Sequence, residues 1–169
     1  MPDNVISVLT FKSVETILDC GGTQSWVLDS NRARNCKYAV VCRNAHYPGV
    51  EGKETHGHAF MIGKVSEVVP STETKGRWLV KFSHYAVSDF GLQWDSRNPV
   101  AYYTTDDYIS TKDYKGIDFN ALDFEPMPEP AQTEDAPLPK VGLTMAEAKE
   151  GLAITFGVDP AAIEITIRG

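Results

Sequence analysis

The spacing with the plainest chemical meaning in this chain is His56-Gly57-His58, two imidazoles separated by one residue. On a strand both rings project to one face and can share a metal ion, with His46 as a third ligand. The stretch from Ala59 to Gly63 supplies no carboxylate to complete such a site, so the pair reads as histidines at a loop end and no metal or cofactor is expected. Cys36 or Cys42 beside a histidine would make a thiol nucleophile, but both lie in an apolar run and read as core residues. Ser83-His84 has the composition of an acyl-transfer pair, yet neighbours on a strand face opposite sides of the sheet. No glycine-rich phosphate loop, paired carboxylates or nucleophile elbow is present. Nothing here supports an enzyme.

A second group of residues points to binding. Aromatic side chains sit in irregular or strand-end places at Trp26, Tyr47, Trp94, Tyr102 and Tyr103, and a basic cluster comprises Arg32, Arg34, Lys37 and Arg43. Aromatic rings stack bases and guanidinium groups pair phosphates, so together they describe a nucleic-acid or modified-nucleotide pocket. The ligand-contacting set expected from this pattern is Trp26, Arg32, Arg34, Arg43, His58, Trp94 and Tyr102. The competing reading is that aromatic residues of a small β-protein fill its core.

The element that must position them is a hairpin between Gly57 and Ala86. Its arms, His58–Val69 and Arg77–Ala86, flank a polar, breaker-rich turn from Pro70 to Gly76. Gly63 inside the first arm predicts a bulge or a close approach of other backbone. Upstream, Val5–Phe11 predicts a strand, and Ser13 caps a helix that Gly21-Gly22 stops. Ser25–Leu28 reads as a short strand, Asp29-Ser30-Asn31 caps a single helical turn through Arg32–Asn35, and Cys36–Arg43 reads as a strand buried on both faces. Asn44–Thr55 and Ser88–Asn98 are loops, Val100–Thr105 is a strand, and Asp106–Ile109 is a short helical turn.

From Glu125 to Gly142 five prolines mix with acidic residues, the composition of an extended linker. Beyond it Thr144-Met145-Ala146-Glu147 is a capping box opening a helix that Gly157 ends, and Ile163–Ile167 alternates as a strand. Residues 143–169 are too few for a core of their own and are expected to dock on the body, a second copy or a partner. The expected organisation is thus a body over residues 1–124, a linker over 125–142 and a helix-strand tail over 143–169.

Apolar content of 42% and charged content of 23% are those of a globular chain. Three cysteines with no Cys-x-x-Cys spacing exclude a zinc ribbon and a disulfide framework, and reduced thiols fit a cytoplasmic protein. Asp3 and Asn4 stand where a signal peptide would place basic residues, and no apolar run is long enough to span a bilayer. The net charge of −7 is uneven: residues 1–120 carry 13 Lys/Arg against 14 Asp/Glu, and residues 121–169 carry 3 against 9. A nearly neutral body leaves room for a nucleic-acid surface that the overall charge would disfavour.

The order of Ser25-Trp26-Val27-Leu28, an arginine-bearing turn, Tyr38-Ala39-Val40-Val41, then Gly57–Val68 and Trp78-Leu79-Val80-Lys81-Phe82 resembles the PUA-like barrel group that includes EVE and ASCH domains, over residues 23–105. The resemblance implies a partly closed β-barrel of the α+β class, with a pocket that binds RNA or modified bases in DNA. The expected function is a non-catalytic nucleic-acid or modified-nucleotide binding module of bacterial or phage type. The alternative is a protein–protein interaction module, such as a phage or mobile-element inhibitor, acting through its tail as a docked partner or homodimer.

Overall fold

A computed structural model describes residues 1–129 and 144–167. The described residues divide between two compact units, one on each side of residue 131. The first is a mixed α+β body, rich in strand, whose sheet curls into a half-barrel. Its strands are β1 (Asn4–Thr10), β2 (Gly22–Trp26), β3 (Tyr38–Arg43), β4 (Ala59–Pro70), β5 (Trp78–Val87), β6 (Val100–Thr104) and β7 (Glu125–Pro126), joined by α1 (Val14–Cys20) and α2 (Ser30–Arg34). The order across the sheet is β2-β5-β4-β3-β1-β6, with β7 paired to β5 beyond the end of β2. β1 and β3 run parallel and the other pairs antiparallel.

β3 is central because all six of its residues are buried, as its unbroken apolar run requires. Alternate residues of β1 and β3 feed two cores on opposite faces of the sheet. Ile6, Val8, Ala39 and Val41 join Ile17 of α1, Ala33 of α2 and Trp26, whereas Val5, Val40 and Cys42 join Tyr108, Ile117 and Phe119 from the chain after β6. The helix caps follow from sequence: Ser13 accepts from Thr16 N at 3.1 Å, and Gly21 closes α1 at φ 76°, a left-handed conformation that an L side chain resists.

The β4–β5 hairpin is as expected, with its turn over Ser71–Arg77. Gly63 is required by a close approach: a Cβ there would come within 2.4–2.5 Å of ring carbons of Phe82. Beside it the pairing shifts from Lys64↔His84 to Val65↔Phe82, which leaves Ser83 as the extra residue of a bulge.

Three expectations are corrected. The strand expected at Ser25–Leu28 lies earlier, at Gly22–Trp26, and Ser25 is itself irregular, with a positive φ of 74° and a register shift between Gln24 and Trp26. The body does not end at residue 124, because β7 pairs Glu125 with Tyr85 and Pro126 with His84, and Met127 N donates to Ser83 O at 3.0 Å. In the second unit α3 (Met145–Phe156) forms with the capping box of Thr144 and Glu147, but Ile163–Ile167 is no strand and follows a 3-10 turn at Pro160–Ala162. The rest of the expected linker, residues 130–142, lies outside the described residues. Among the described residues no helix is long and apolar enough to cross a membrane.

Candidate nucleic-acid interface and a second cavity

α2 places two of the expected arginines. Asp29 fixes its start, its Oδ1 accepting from Asn31 N at 3.0 Å and Arg32 N at 3.1 Å. The exposed Arg32 guanidinium lies 4.2 Å over the ring of half-buried Tyr102, whose hydroxyl donates to Asp29 O at 3.2 Å. Burial holds the Tyr102 phenol above its ordinary range, so it stays a neutral donor. Arg34 lies 5.4 Å from the Trp78 ring and donates to Ser30 Oγ, Asn31 Oδ1 and Val68 O at 3.2–3.4 Å. It borders a groove of about 380 Å³ along Val65–Val69. Among the described residues neither arginine pairs with a carboxylate, while Lys37 is held by Asp3 at 2.8 Å.

The other expected contacts do not join them. Trp26 is 9% exposed, belongs to the core and donates through Nε1 to Thr23 Oγ1 at 2.9 Å. Arg43 is wholly buried: Nε meets Glu54 Oε2 at 2.9 Å, Nη1 donates to the carbonyls of Thr10 at 3.2 Å and Lys12 at 2.6 Å, and the guanidinium lies over Phe60 at 4.1 Å. It ties the loop after β3 to the end of β1, so no phosphate reaches it. His58 faces Asp89, Nδ1 to Oδ1 3.3 Å, at the edge of a separate cavity of about 490 Å³. Trp94 is half-buried against the second core, held by its N–H on Gly57 O at 3.1 Å.

The histidine pair does not act as one site. His56 lies in the loop, accepts from Ala45 N at 3.2 Å and packs against His46 with ring centroids 4.0 Å apart and planes tilted by 39°, whereas His58 turns to Asp89. Among the described residues no three His, Cys, Asp or Glu side chains are grouped to hold a metal. Burial pushes the Cys36 thiol up to about 11 and Cys42 up to about 12, the wrong direction for a nucleophile. Ser83 and His84, expected on opposite faces, do meet at 3.1 Å because the bulge at Ser83 breaks the alternation. Among the described residues nothing hydrogen-bonds the other nitrogen of His84 to orient it as a base.

Sequence reasoning missed a cavity of about 190 Å³ on the opposite face of β6 from Tyr102, lined by Gln93, Asp95, Tyr103, Asp107, Tyr108, Ile109, Thr111 and Tyr114. A 3-10 turn (Thr105–Tyr108) carries Tyr108 inward, and its ring stands edge-on to Tyr103 at 5.9 Å and 80°. Thr111 N donates to Tyr114 O at 2.9 Å and Tyr114 N to Thr111 Oγ1 at 3.1 Å, a closed turn that brings Tyr114 to the rim. Tyr103 donates its hydroxyl to Asp95, and Asp107 Oδ2 accepts from Thr104 N and Oγ1 at 2.6 and 2.9 Å. Gln93, 8% exposed, donates both amide hydrogens, to Phe90 O at 2.9 Å and Lys115 O at 2.5 Å. Burial first, then Asp95, raises the Tyr103 phenol well above its ordinary range. The available signal was the recurrence of tyrosine at 103, 108 and 114 in a stretch otherwise rich in aspartate. Compared with models of known protein families, with curated proteins and with solved structures, the chain matches none.

Proposed function

We propose that the protein is a non-catalytic module that binds nucleic acid or a modified nucleotide on the α2 face. The observation that carries this reading is the Arg32–Tyr102 stack. A guanidinium already spread on an aromatic ring has lost much of its rotamer freedom, and without a carboxylate partner it keeps its donors for an incoming phosphate. Arg34, on the same helix and beside the Trp78 ring, adds a second positive charge without a carboxylate partner, although its Nη1 and Nη2 already donate to Ser30, Asn31 and Val68. The curled half-barrel is the kind of sheet that the PUA-like resemblance implies.

The test is binding of short single-stranded oligonucleotides by Arg32→Glu/Arg34→Glu. Each lost contact should lower the slope of log K against log salt by about 0.7, so the double variant should lose about 1.4 along with most of its affinity. An unchanged slope would remove α2 from the interface. The reading of an interaction module is favoured instead by Ile154 and Phe156, which are 84% and 69% exposed on α3. Solution mass of the full chain with and without residues 144–169 distinguishes self-association through that face.

A further inference from the structure

We infer that the cavity walled by Tyr103, Tyr108 and Tyr114 is a binding site for a guanidinium group. It is independent of the α2 surface, since adjacent strand residues face opposite sides and Tyr102 and Tyr103 pack with different cores.

Charge comes first. No lysine, arginine or histidine lines the cavity, whereas Asp95 and Asp107 do, so an anion is disfavoured and a cation favoured. The hydrogen-bonding inventory then narrows the cation. Both amide hydrogens of Gln93 are committed to backbone carbonyls, and its Oε1 accepts no hydrogen bond among the described residues. That oxygen is not among the fully enclosed unpartnered atoms, and Gln93, 8% exposed, lines the cavity. Asp95 uses one carboxylate oxygen for Tyr103, and Asp107 uses Oδ2 for Thr104, which leaves one oxygen of each without a partner among the described residues. Three unfilled acceptors on residues that line one small space, two of them on exposed carboxylates, call for a cation with several N–H groups, and a quaternary ammonium has none.

Shape selects the guanidinium. Two tyrosine rings set at 80° form a corner, the third closes the rim, and a flat delocalised cation stacks on one ring while directing its N–H groups sideways. Because Tyr103 donates to a carboxylate, its ring is the richer in electron density and the better partner. The volume of about 190 Å³ lies below the roughly 300 to 1,000 Å³ of sites that enclose drug-sized molecules, so it admits one head group. That head group belongs to a free guanidine or to an arginine side chain of a bound polypeptide.

The full-length chain is titrated at low salt with methylguanidinium, with its neutral analogue methylurea and with tetramethylammonium, following amide and tyrosine resonances by NMR. Saturable shifts at residues 93–114 are expected with methylguanidinium alone. Asp95→Asn keeps the shape and the Tyr103 contact but removes the charge, and should weaken binding at least tenfold. Tyr114→Ala, at the half-buried rim, provides the same readout should Asp95→Asn fail to fold. A blocked arginine tripeptide binding more tightly than methylguanidinium assigns the cation to a polypeptide, and the reverse order assigns it to a free guanidine. No saturation at millimolar methylguanidinium, equal binding of methylurea, or undiminished binding by both variants overturns the site. Arg32→Glu should leave this titration unchanged, so it and the oligonucleotide measurement fail separately.

Discussion

An arginine at the end of a strand, followed by a polar loop, reads as a surface cation, yet Arg43 is enclosed completely and serves two carbonyls, a carboxylate and the face of Phe60. Burying a guanidinium is costly unless its donors are used, and here Nε and Nη1 have partners while the enclosed Nη2 has none. Arg43→Ala should strand the carbonyl of Lys12, while that of Thr10 keeps its bond from Asn44 N at 2.8 Å, and open a void beside Phe60, at a cost of about 3 kcal/mol. The midpoint of urea unfolding should fall with little change in slope, and a loss under about 1 kcal/mol would mean that the loop closes without it. That Arg32 is exposed on its helical turn was legible in the sequence, because a charged side chain in a single polar turn has nothing to bury it; that it lies over the Tyr102 ring was not. Nor was the burial of Arg43 and Trp26, since enclosure is decided by what packs on a residue from distant parts of the chain.

Local signals fixed most elements correctly. Ser13 and Gly21 bound α1, Asp29 starts α2, and the unbroken apolar run of β3 is buried on both faces. What failed depended on a partner. The isoleucines at 163, 165 and 167 alternate perfectly, but alternation names the face of a strand and not the edge that would pair with it. The loop between β3 and β4 has its own conditional support. Glu51 Oε2 accepts from Ser13 N at 2.8 Å and Thr16 Oγ1 at 2.7 Å, and these bonds hold its carboxyl below the usual carboxylate range. Burial, then the proximity of His46, lowers His56 as well. Both folded values lie below the unfolded ones, so each contribution is complete above the unfolded pKa and is lost as pH falls through the folded one. Acidification from pH 7 should therefore weaken the loop first below about 6.5 through His56 and again below about 4.3 through Glu51. Hydrogen exchange of Asn44–Thr55, compared with β3 at matched intrinsic rates, should rise in those two steps. Glu51→Gln should remove the lower step, and an unchanged lower step would assign it to another carboxylate.

At the scale of the molecule, composition placed the boundary of the body too early, because the proline-rich composition beginning at Pro126 hides a short, mostly exposed segment, residues 125–127, that pairs with β5. Proline is tolerated in β7 because β7 is a two-residue strand paired only to β5, so Pro126 withdraws no donor from a central ladder. Tyr85 donates to Glu125 at 3.1 Å, Lys64 sits 4.4 Å over the ring of Phe124, and Met127 packs on the first core. Two shortened chains, ending at residues 124 and 129, differ only in this segment and so isolate its contribution. The Met127–Ser83 backbone bond contributes about 1 kcal/mol, and half-burial of the Met127 side chain about 1 more. The chain ending at 124 should accordingly be less stable to urea by about 2 kcal/mol, with the loss concentrated in exchange of β5 amides near Ser83–Tyr85. Equal midpoints for the two chains would return residues 125–127 to the linker and set the end of the body at Phe124.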